Sequence, residues 1–317
     1  MMKECKQIGS TPLSISVYSV EKAPTHIHDK GILEIIFCLK GSVKFSYAYE
    51  EFTLHAGEYI SVDKDAYYLY DGKDNLCVSF YFDLKRYRDK YPFICNNLFV
   101  CEGLAESMEP YPKEGHRRLK GMLIALLRFI VESGGQPDER RVSAAAEKIV
   151  ELFVTHFDVF FFHTGEQSGN EENLRKLHEI NDFIYSHITE KLTLGDIAGE
   201  LNFTEGYISE FLRKVSIGFR GMLGYIRANQ SEHYLLKTDK NILEISEECG
   251  FSDVKYYYSA FKRWYRCTPK QFREQYGKAS EERISYMQLE DIRDILDKLI
   301  LDYYMDIFLF SISDISE

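Results

Sequence analysis

The sequence predicts an α+β chain of several parts. An N-terminal β-barrel is followed by a helical segment, and an all-α C-terminal domain holds two helix-turn-helix units. Three observations point to this. Up to about Phe82 the chain runs in short alternating stretches broken by turn residues. From Leu192 to Lys278 one pattern of short capped helix, turn and second helix occurs twice. Between these parts, Gly165–Glu172 (GEQSGNEE) contains no apolar side chain and reads as a linker.

The N-terminal strands follow from period-two alternation. Leu13–Tyr18 alternates, Leu33–Leu39 is apolar apart from Glu34, and Gly41 reads as a turn into Val43–Tyr47. Glu50–Leu54, Tyr59–Val62 and Val78–Phe82 complete the set, at spacings suited to a small barrel or sandwich. His26, His28, Glu34 and Gly41 resemble the first cupin motif, and His55–Ile60 the start of the second. Metal-binding cupins draw two His and a carboxylate from the first motif and one His from the second. Here Lys64–Tyr68 stands where that last His would come, and five residues separate His28 from Glu34. The ligand set is incomplete, so no metal, cofactor or catalytic residue is expected. A barrel of this size is a natural holder of a small molecule. His26, His28, Glu34, Tyr67, Tyr68 and Phe80 are the candidate effector contacts, with Tyr70 and Phe82 as further lining. For any one aromatic, an ordinary core position is the stronger reading.

Asp83–Glu114 is irregular, with Pro92, Pro110 and Pro112. His116–Glu132 and Asp138–Phe162 read as helices too apolar to stand alone, so they pack on the barrel or on a second subunit. The expected divisions are 1–114 for the effector domain, 115–164 for a helical dimerisation segment, 165–172 for the linker, 173–278 for the helix-turn-helix domain and 279–317 for an additional helical tail. That tail is rich in Asp and suits either a cover over the helical domain or a dimer contact.

The C-terminal repeat carries the most specific signal. Asn241 is an N-cap with Glu244 three residues on, a capping-box pattern, and Gly250 ends that helix. In the next helix Tyr257, Phe261 and Trp264 form the inward stripe, leaving Lys255, Tyr258, Ser259 and Lys262 outside. Upstream, Thr193–Leu201 is the first short helix and Asn202–Thr204 the turn. Glu205–Lys214 follows, with Ile208, Phe211 and Leu212 inward and Gly206, Ser209, Glu210 and Arg213 outward. Polar outer faces on the second helix of each unit suit contacts to phosphates and base edges. Leu174–Lys278 holds 16 Lys/Arg and 14 Asp/Glu, a net of +2. The remainder holds 23 and 36, a net of −13, so the acid is concentrated outside the candidate DNA-binding region.

These residues resemble the DNA-binding domain of the AraC/XylS family of bacterial transcription regulators. The resemblance rests on Ile197-Ala198, Tyr207-Ile208-Ser209, Arg227, Leu235-Leu236, Ile242, Ile245, Gly250-Phe251-Ser252-Asp253, Phe261-Lys262-Arg263, Thr268-Pro269 and Phe272-Arg273, and covers about a third of the chain. Ser246 departs from the family's Ala, and Arg266 and Ile217 from its glycines. The resemblance implies a sequence-specific regulator of a metabolic operon, an activator answering to a small effector such as a sugar. It further implies double-stranded DNA and RNA polymerase as partners, and a homodimer. Family members often carry the half-complete cupin motif without metal.

Two other function classes follow from the same residues. One is a cupin-type metalloenzyme fused to a DNA-binding domain, and the other a constitutive DNA-binding dimer without effector. The seven cysteines are odd in number and scattered, which fits reduced thiols. No apolar run reaches membrane-spanning length, since Glu151, His156 and Asp158 interrupt the best one, and no secretory leader is evident. A cytoplasmic protein without a membrane partner is expected.

Overall fold

The computed structural model describes residues 4–28, 30–47, 50–104, 113–158, 171–277 and 282–302. Its N-terminal strands are β1 (Lys6–Gln7), β2 (Leu13–Lys22), β3 (Ile32–Tyr47), β4 (Glu50–His55), β5 (Tyr59–Val62), β6 (Tyr67–Asp83) and β7 (Glu102–Gly103); β8 (Arg283–Tyr286) returns from the far end of the chain. They form one antiparallel sheet, ordered β1-β2-β6-β3-β5-β7, with β4 beside β3 and β8 beside β2. The path has two ends and does not close on itself, so the architecture is an antiparallel sheet domain followed by a helical domain.

The turn expected at Gly41 is a bend within a continuous β3. Its φ is +68°, and a Cβ there would lie 2.2 Å from the Asp74 carbonyl oxygen on β6. Positive φ and close backbone approach together require glycine. The register between β3 and β6 shifts on either side of it.

Alternation along β3 and β6 builds two cores, one on each face of the sheet. Leu33, Ile35 and Phe37 meet Val78, Phe80 and Phe82 on one face, while Ile36, Cys38, Tyr67, Cys77 and Tyr81 occupy the other. The first face is covered by α1 (Lys113–Glu132) and α2 (Glu139–Leu152), the latter running on into a π-helical turn at Phe153–Phe157. Leu119, Leu123, Leu126, Ile130 and Ile149 are fully buried there. Each such side chain contributes roughly 1.5–3 kcal/mol. The apolar surface expected to hold two subunits together is thus covered within one chain; residues 159–162 of that segment lie outside the described residues.

The segment after Gly277 is neither a cover over the helical domain nor, as far as it is described, a free face for a second subunit. β8 pairs with β2, and α10 (Arg293–Asp302) with the short 3-10 turn before it lays Leu289, Ile292, Leu296 and Leu299 into the first core. Tyr303, Ile307 and Phe308 lie outside the described residues.

The helical domain comprises α3 (Glu171–Ser186), α4 (Leu194–Glu200), α5 (Glu205–Val215), α6 (Phe219–Lys237), α7 (Ile242–Glu248), α8 (Val254–Tyr265) and α9 (Pro269–Tyr276). Most of the predicted linker, 165–170, lies outside the described residues. Two cores divide the domain, and the long α6 serves both. Met222 and Ile226 join Leu177, Ile197, Ile208 and Leu212, whereas Ala228 and Leu235 join Ile245, Tyr257, Phe261 and Phe272. No helix among the described residues is long and apolar enough to cross a membrane.

Candidate functional site

Each unit is set by local rules that the sequence states openly. In the first, the Thr193 side chain caps α4 and the Asp196 carboxylate reaches back to the Thr193 backbone N–H at 2.7 Å. In the second, Asn241 and Glu244 make the same capping box on α7. The two turns pivot on Asn202 (φ +56°) and Gly250 (φ +77°). The second cannot carry a side chain, because a Cβ at Gly250 would lie 2.2 Å from the Ile188 carbonyl oxygen. Thr204 and Asp253 then cap α5 and α8.

The inward stripe of α8 is Tyr257, Phe261 and Tyr265, with Trp264 only half-buried. The step from Phe261 to Tyr265 is i+4 rather than i+3. Phe261 stacks on Tyr265 at 4.3 Å and meets Phe272 of α9 edge-on at 5.4 Å, which fixes the rotation of the helix. Arg266 ends α8 in the left-handed conformation (φ +51°), the role the family gives to glycine.

That rotation leaves Lys255, Ser259 and Lys262 exposed, with Tyr258 at the margin of the same face. On α5, Gly206, Ser209, Glu210 and Arg213 are likewise exposed. All eight predicted DNA-contact residues therefore lie on the solvent side of the second helix of their unit. Sequence reasoning missed Tyr256, 65% exposed. Tyr256, Ser259 and Arg263 follow one another at i, i+3 and i+7 and border a groove of about 470 Å³ shared with Arg220 of α6. The helical spacing that identified Ser259 would also have identified Tyr256; its aromatic character argued for core instead.

The two faces differ in charge. Lys255 and Lys262 have no ion-pair partner among the described residues, and α8 contains no acidic residue. On α5 the Glu210 carboxylate accepts hydrogen bonds from Arg213 at 2.8 and 3.1 Å and lies 3.3 Å from Lys214 Nζ. The Arg213 hydrogen bond, with that of Lys214, holds the Glu210 carboxyl below its ordinary value.

The six candidate effector contacts are not brought to one place. Tyr67 and Phe80 lie an odd number of positions apart on β6 and face opposite cores. Tyr68 packs against Tyr276 of α9, with ring centroids 5.3 Å apart. His28 and Glu34 form a buried pair at 2.6 Å, and the Tyr67 hydroxyl donates to the same carboxylate oxygen at 2.7 Å. Burial alone would raise the Glu34 carboxyl. His28, by hydrogen bond and charge, together with hydrogen bonds from Ser79 and Tyr67, holds it down at about 2. His26 is not on a regular strand; it makes an isolated bridge to Tyr67 and stacks on its ring at 5.4 Å. Among the described residues, no group of three or more His, Cys, Asp or Glu could hold a metal ion.

Of the six, His28 also borders a cavity of about 330 Å³ between the two domains, with Lys30 and Lys64 from the sheet domain and Tyr185, Asn229 and His233 from the helical domain. Both lysines lie over one ring: Lys30 Nζ is 4.7 Å and Lys64 Nζ 5.1 Å from the Tyr185 centroid. Desolvation, with repulsion from Lys64, lowers the Lys30 ammonium. Beside the cavity the domains are joined by buried polar bonds. Asn229 of α6 donates to Asp65 at 2.8 Å, and the Ala66 N–H donates to Glu232 at 2.7 Å. The Tyr265 hydroxyl also donates to Glu232. Burial and the nearby Asp63 push the Asp65 carboxyl up to about 7, and burial beside Asp65 raises Glu232 well above its ordinary value. Further contacts between the domains include Asn181 to the Asn96 carbonyl at 2.7 Å and Thr25 to the Tyr276 carbonyl at 2.5 Å.

A family profile described as a helix-turn-helix domain matches residues 194–275. The chain is 23% identical over 272 residues to the HTH-type transcriptional activator RhaS of Enterobacter sp. (strain 638), covering 84% of this chain and 93% of that protein. It is 30% identical over 89 residues to the HTH-type transcriptional activator FapR of Escherichia coli, covering 28% of this chain and 34% of FapR. Among solved structures it is similar to ToxT from Vibrio cholerae O395, with a TM-score of 0.45 at 15% identity over 84% of this chain and 99% of that one. Two capped helix-turn-helix units, joined by α6 and bearing outward polar faces, lie where that profile matches, so residues 194–275 form a helix-turn-helix domain of the kind carried by the transcription regulators to which the chain is similar.

Proposed function

We propose that the chain is an activator whose DNA binding answers to a small acid-bearing effector held between its two domains. The observation that carries this reading is the cavity flanked by Lys30 and Lys64, two cations over one tyrosine ring, built half from the sheet domain and half from α3 and α6. A carboxylate or phosphate entering there would relieve the repulsion between the two ammonium groups. It would also touch the domain that carries both recognition helices. The buried His28–Glu34–Tyr67 cluster is already satisfied internally on one carboxylate oxygen, and its part is to hold His28 at the cavity wall.

On DNA, α5 and α8 would enter successive major-groove segments about 34 Å apart on one face of the duplex. Lys255, Tyr258, Ser259 and Lys262 would read or grip through α8, and Gly206, Ser209, Glu210 and Arg213 through α5. A domain with a net charge of +2 makes few phosphate contacts, so two copies on one operator, and contact with RNA polymerase at the promoter, complete the proposal. Sedimentation of the full chain tests the pairing, and a monomer at micromolar concentration speaks against it.

The effector test is a thermal-shift screen of the full chain against neutral sugars, sugar phosphates and aliphatic carboxylates. Acidic compounds are expected to raise the melting temperature, and Lys64→Ala to abolish the shift. Stabilisation by a neutral sugar that survives Lys64→Ala would place the effector elsewhere. Footprinting should show two protected segments per subunit, about 10 base pairs apart.

A further inference from the structure

The groove of about 470 Å³ between α6 and α8 joins the two helix-turn-helix units. One wall is the start of α6, with Arg220, and only three residues separate the end of α5 from the start of α6. The other wall is the outer side of α8, with Tyr256, Ser259 and Arg263. The groove therefore runs from the foot of the first unit to the reading face of the second. Its walls approach closely because they are small where they meet: a Cβ on Gly224 would lie 3.7 Å from the Ala260 Cβ.

Among the described residues, every charged side chain bordering this groove is a guanidinium, in a chain whose net charge is −11. Arg227 is committed to the fold, since its Nε and Nη2 donate to the Ile188 and Glu190 carbonyls at 2.9 and 2.7 Å. Arg220 and Arg263 are exposed, and neither has an ion-pair partner among the described residues. The Arg263 guanidinium lies over the Trp264 ring, 5.0 Å from its centroid, which steadies it at the groove edge. The exposed hydroxyls of Ser252 and Tyr256 add donors. A planar guanidinium matches two oxygens of a phosphate at once, and a concave surface without carboxylates does not repel that anion. Two helices in successive major-groove segments on one face of a duplex straddle the minor groove between them. The backbone bordering that minor groove crosses the protein between α5 and α8, where this groove lies.

We propose that the groove seats the phosphodiester backbone between the two major-groove segments, with Arg220 and Arg263 gripping it from opposite walls. The proposal rests on the reading that both α5 and α8 enter DNA. Phosphate contacts position a protein without reading sequence, so the groove sets the register of one recognition helix against the other. It also supplies two grips to a domain whose net charge is only +2.

The test uses the full chain and a duplex that it selects from a random library, titrated across about 50 to 200 mM salt. Arg220→Gln and Arg263→Gln remove charge and keep most of each stem. Each is expected to weaken the operator and its variants by the same factor and to lower the salt slope by about one unit, and the double variant by about two. Arg220→Lys is expected to lose affinity and keep the slope. Ethylation of phosphates between the two protected segments is expected to block the wild-type chain and to lose most of its effect on the double variant. A slope unmoved by both changes, or interference confined to phosphates inside the segments, overturns the proposal. So does an altered preference among operator variants, which is the mark of base reading. Stabilisation of the chain by inorganic phosphate that the double variant abolishes, with DNA binding intact, would give the groove to a free anion and also overturns it. A wild-type chain that protects one segment or none removes the two-helix reading and the groove proposal with it. Failure of the groove alone leaves both protected segments in place.

Discussion

α5 and α8 occupy equivalent places in two equivalent units, yet they offer DNA very different surfaces. α8 carries Lys255, Lys262 and Arg263 with no carboxylate, and adds the exposed ring of Tyr256. α5 carries Glu205, Glu210, Arg213 and Lys214, and Glu210 holds both of its cations. The cores beneath are alike: Ile208 and Leu212 in one, Tyr257 and Phe261 in the other, all fully buried. Packing therefore repeats while the surface has diverged. The second unit is built to supply grip, and the first can contribute only if DNA competes successfully with Glu210 for Arg213.

The largest expected effect lies in the shared part of that comparison. Phe261→Ala should cost about 3–5 kcal/mol and Leu212→Ala about 2–5 kcal/mol in urea unfolding, by loss of buried contacts and the cavities left behind. If either change were tolerated to within about 1 kcal/mol, the two units could not be said to rest on equivalent cores.

The units also differ in how they are held to the sheet. The first is anchored through α3, by Asn181 on the Asn96 carbonyl; the second through α6 and α8, where Asn229, Glu232 and Tyr265 gather around Asp65 and Ala66. Asp63, Lys64 and Tyr225 also face that carboxyl pair. Because Asp65 is raised to about 7, the folded chain holds a proton that the unfolded chain, with an aspartate near 3.9, has released. Stability from this site is complete below about pH 4 and lost as pH rises towards 7. Amide exchange in α6 and α8 should accelerate between pH 5 and 7 more than in α3 once intrinsic rates are divided out. Glu232→Gln should flatten the difference. Equal acceleration in both anchors would remove this distinction.

At the DNA surface, Ser259→Ala should cost roughly 1–3 kcal/mol on the preferred operator and little on its variants, whereas Ser209→Ala should cost less. Equal penalties in a binding assay across operator variants would show that both helices read sequence alike. The smallest effects should appear in salt dependence. Lys262→Ala should weaken all sequences together and lower the salt slope by about one unit. Glu210→Gln should act in the opposite direction, raising the slope by about one unit as Arg213 and Lys214 are freed for phosphate. A slope unmoved by Glu210→Gln would mean that α5 stays off the backbone.

The features legible in the sequence were those that depend on neighbours a few positions away. Asn241 and Glu244 cap α7 because they are three residues apart, Gly250 must be glycine because the turn needs positive φ, and the outward positions of α5 and α8 follow from helical period. The strands were legible for the same reason, as alternation along Leu13–Tyr18 and Tyr59–Val62. Tyr256 and Arg266 were the local exceptions. An aromatic on an outer face and a non-glycine in the left-handed region both run against residue preference, and tertiary context allows each.

What the tertiary structure alone decided were the meetings of distant segments. Sequence alternation says that Tyr67 and Phe80 face opposite ways; it does not say that both faces of the sheet become core, one under α1, α2 and α10 and one lined by side chains of the strands themselves, β8 included. Apolar stripes on α1 and α2 state that a partner surface exists, and the hydrophobic effect, being non-directional, does not name it. The same holds for the segment after Gly277, whose Ile292 and Leu296 were visible as a helical stripe while their place in the first core was not. The carboxylates at 65 and 232 stand 167 positions apart, and no local rule joins them. Periodicity and capping act within a few residues and are written in the order of the chain. Burial, charge pairing and the cavity between the domains depend on which surfaces finally touch, and only the folded chain fixes that.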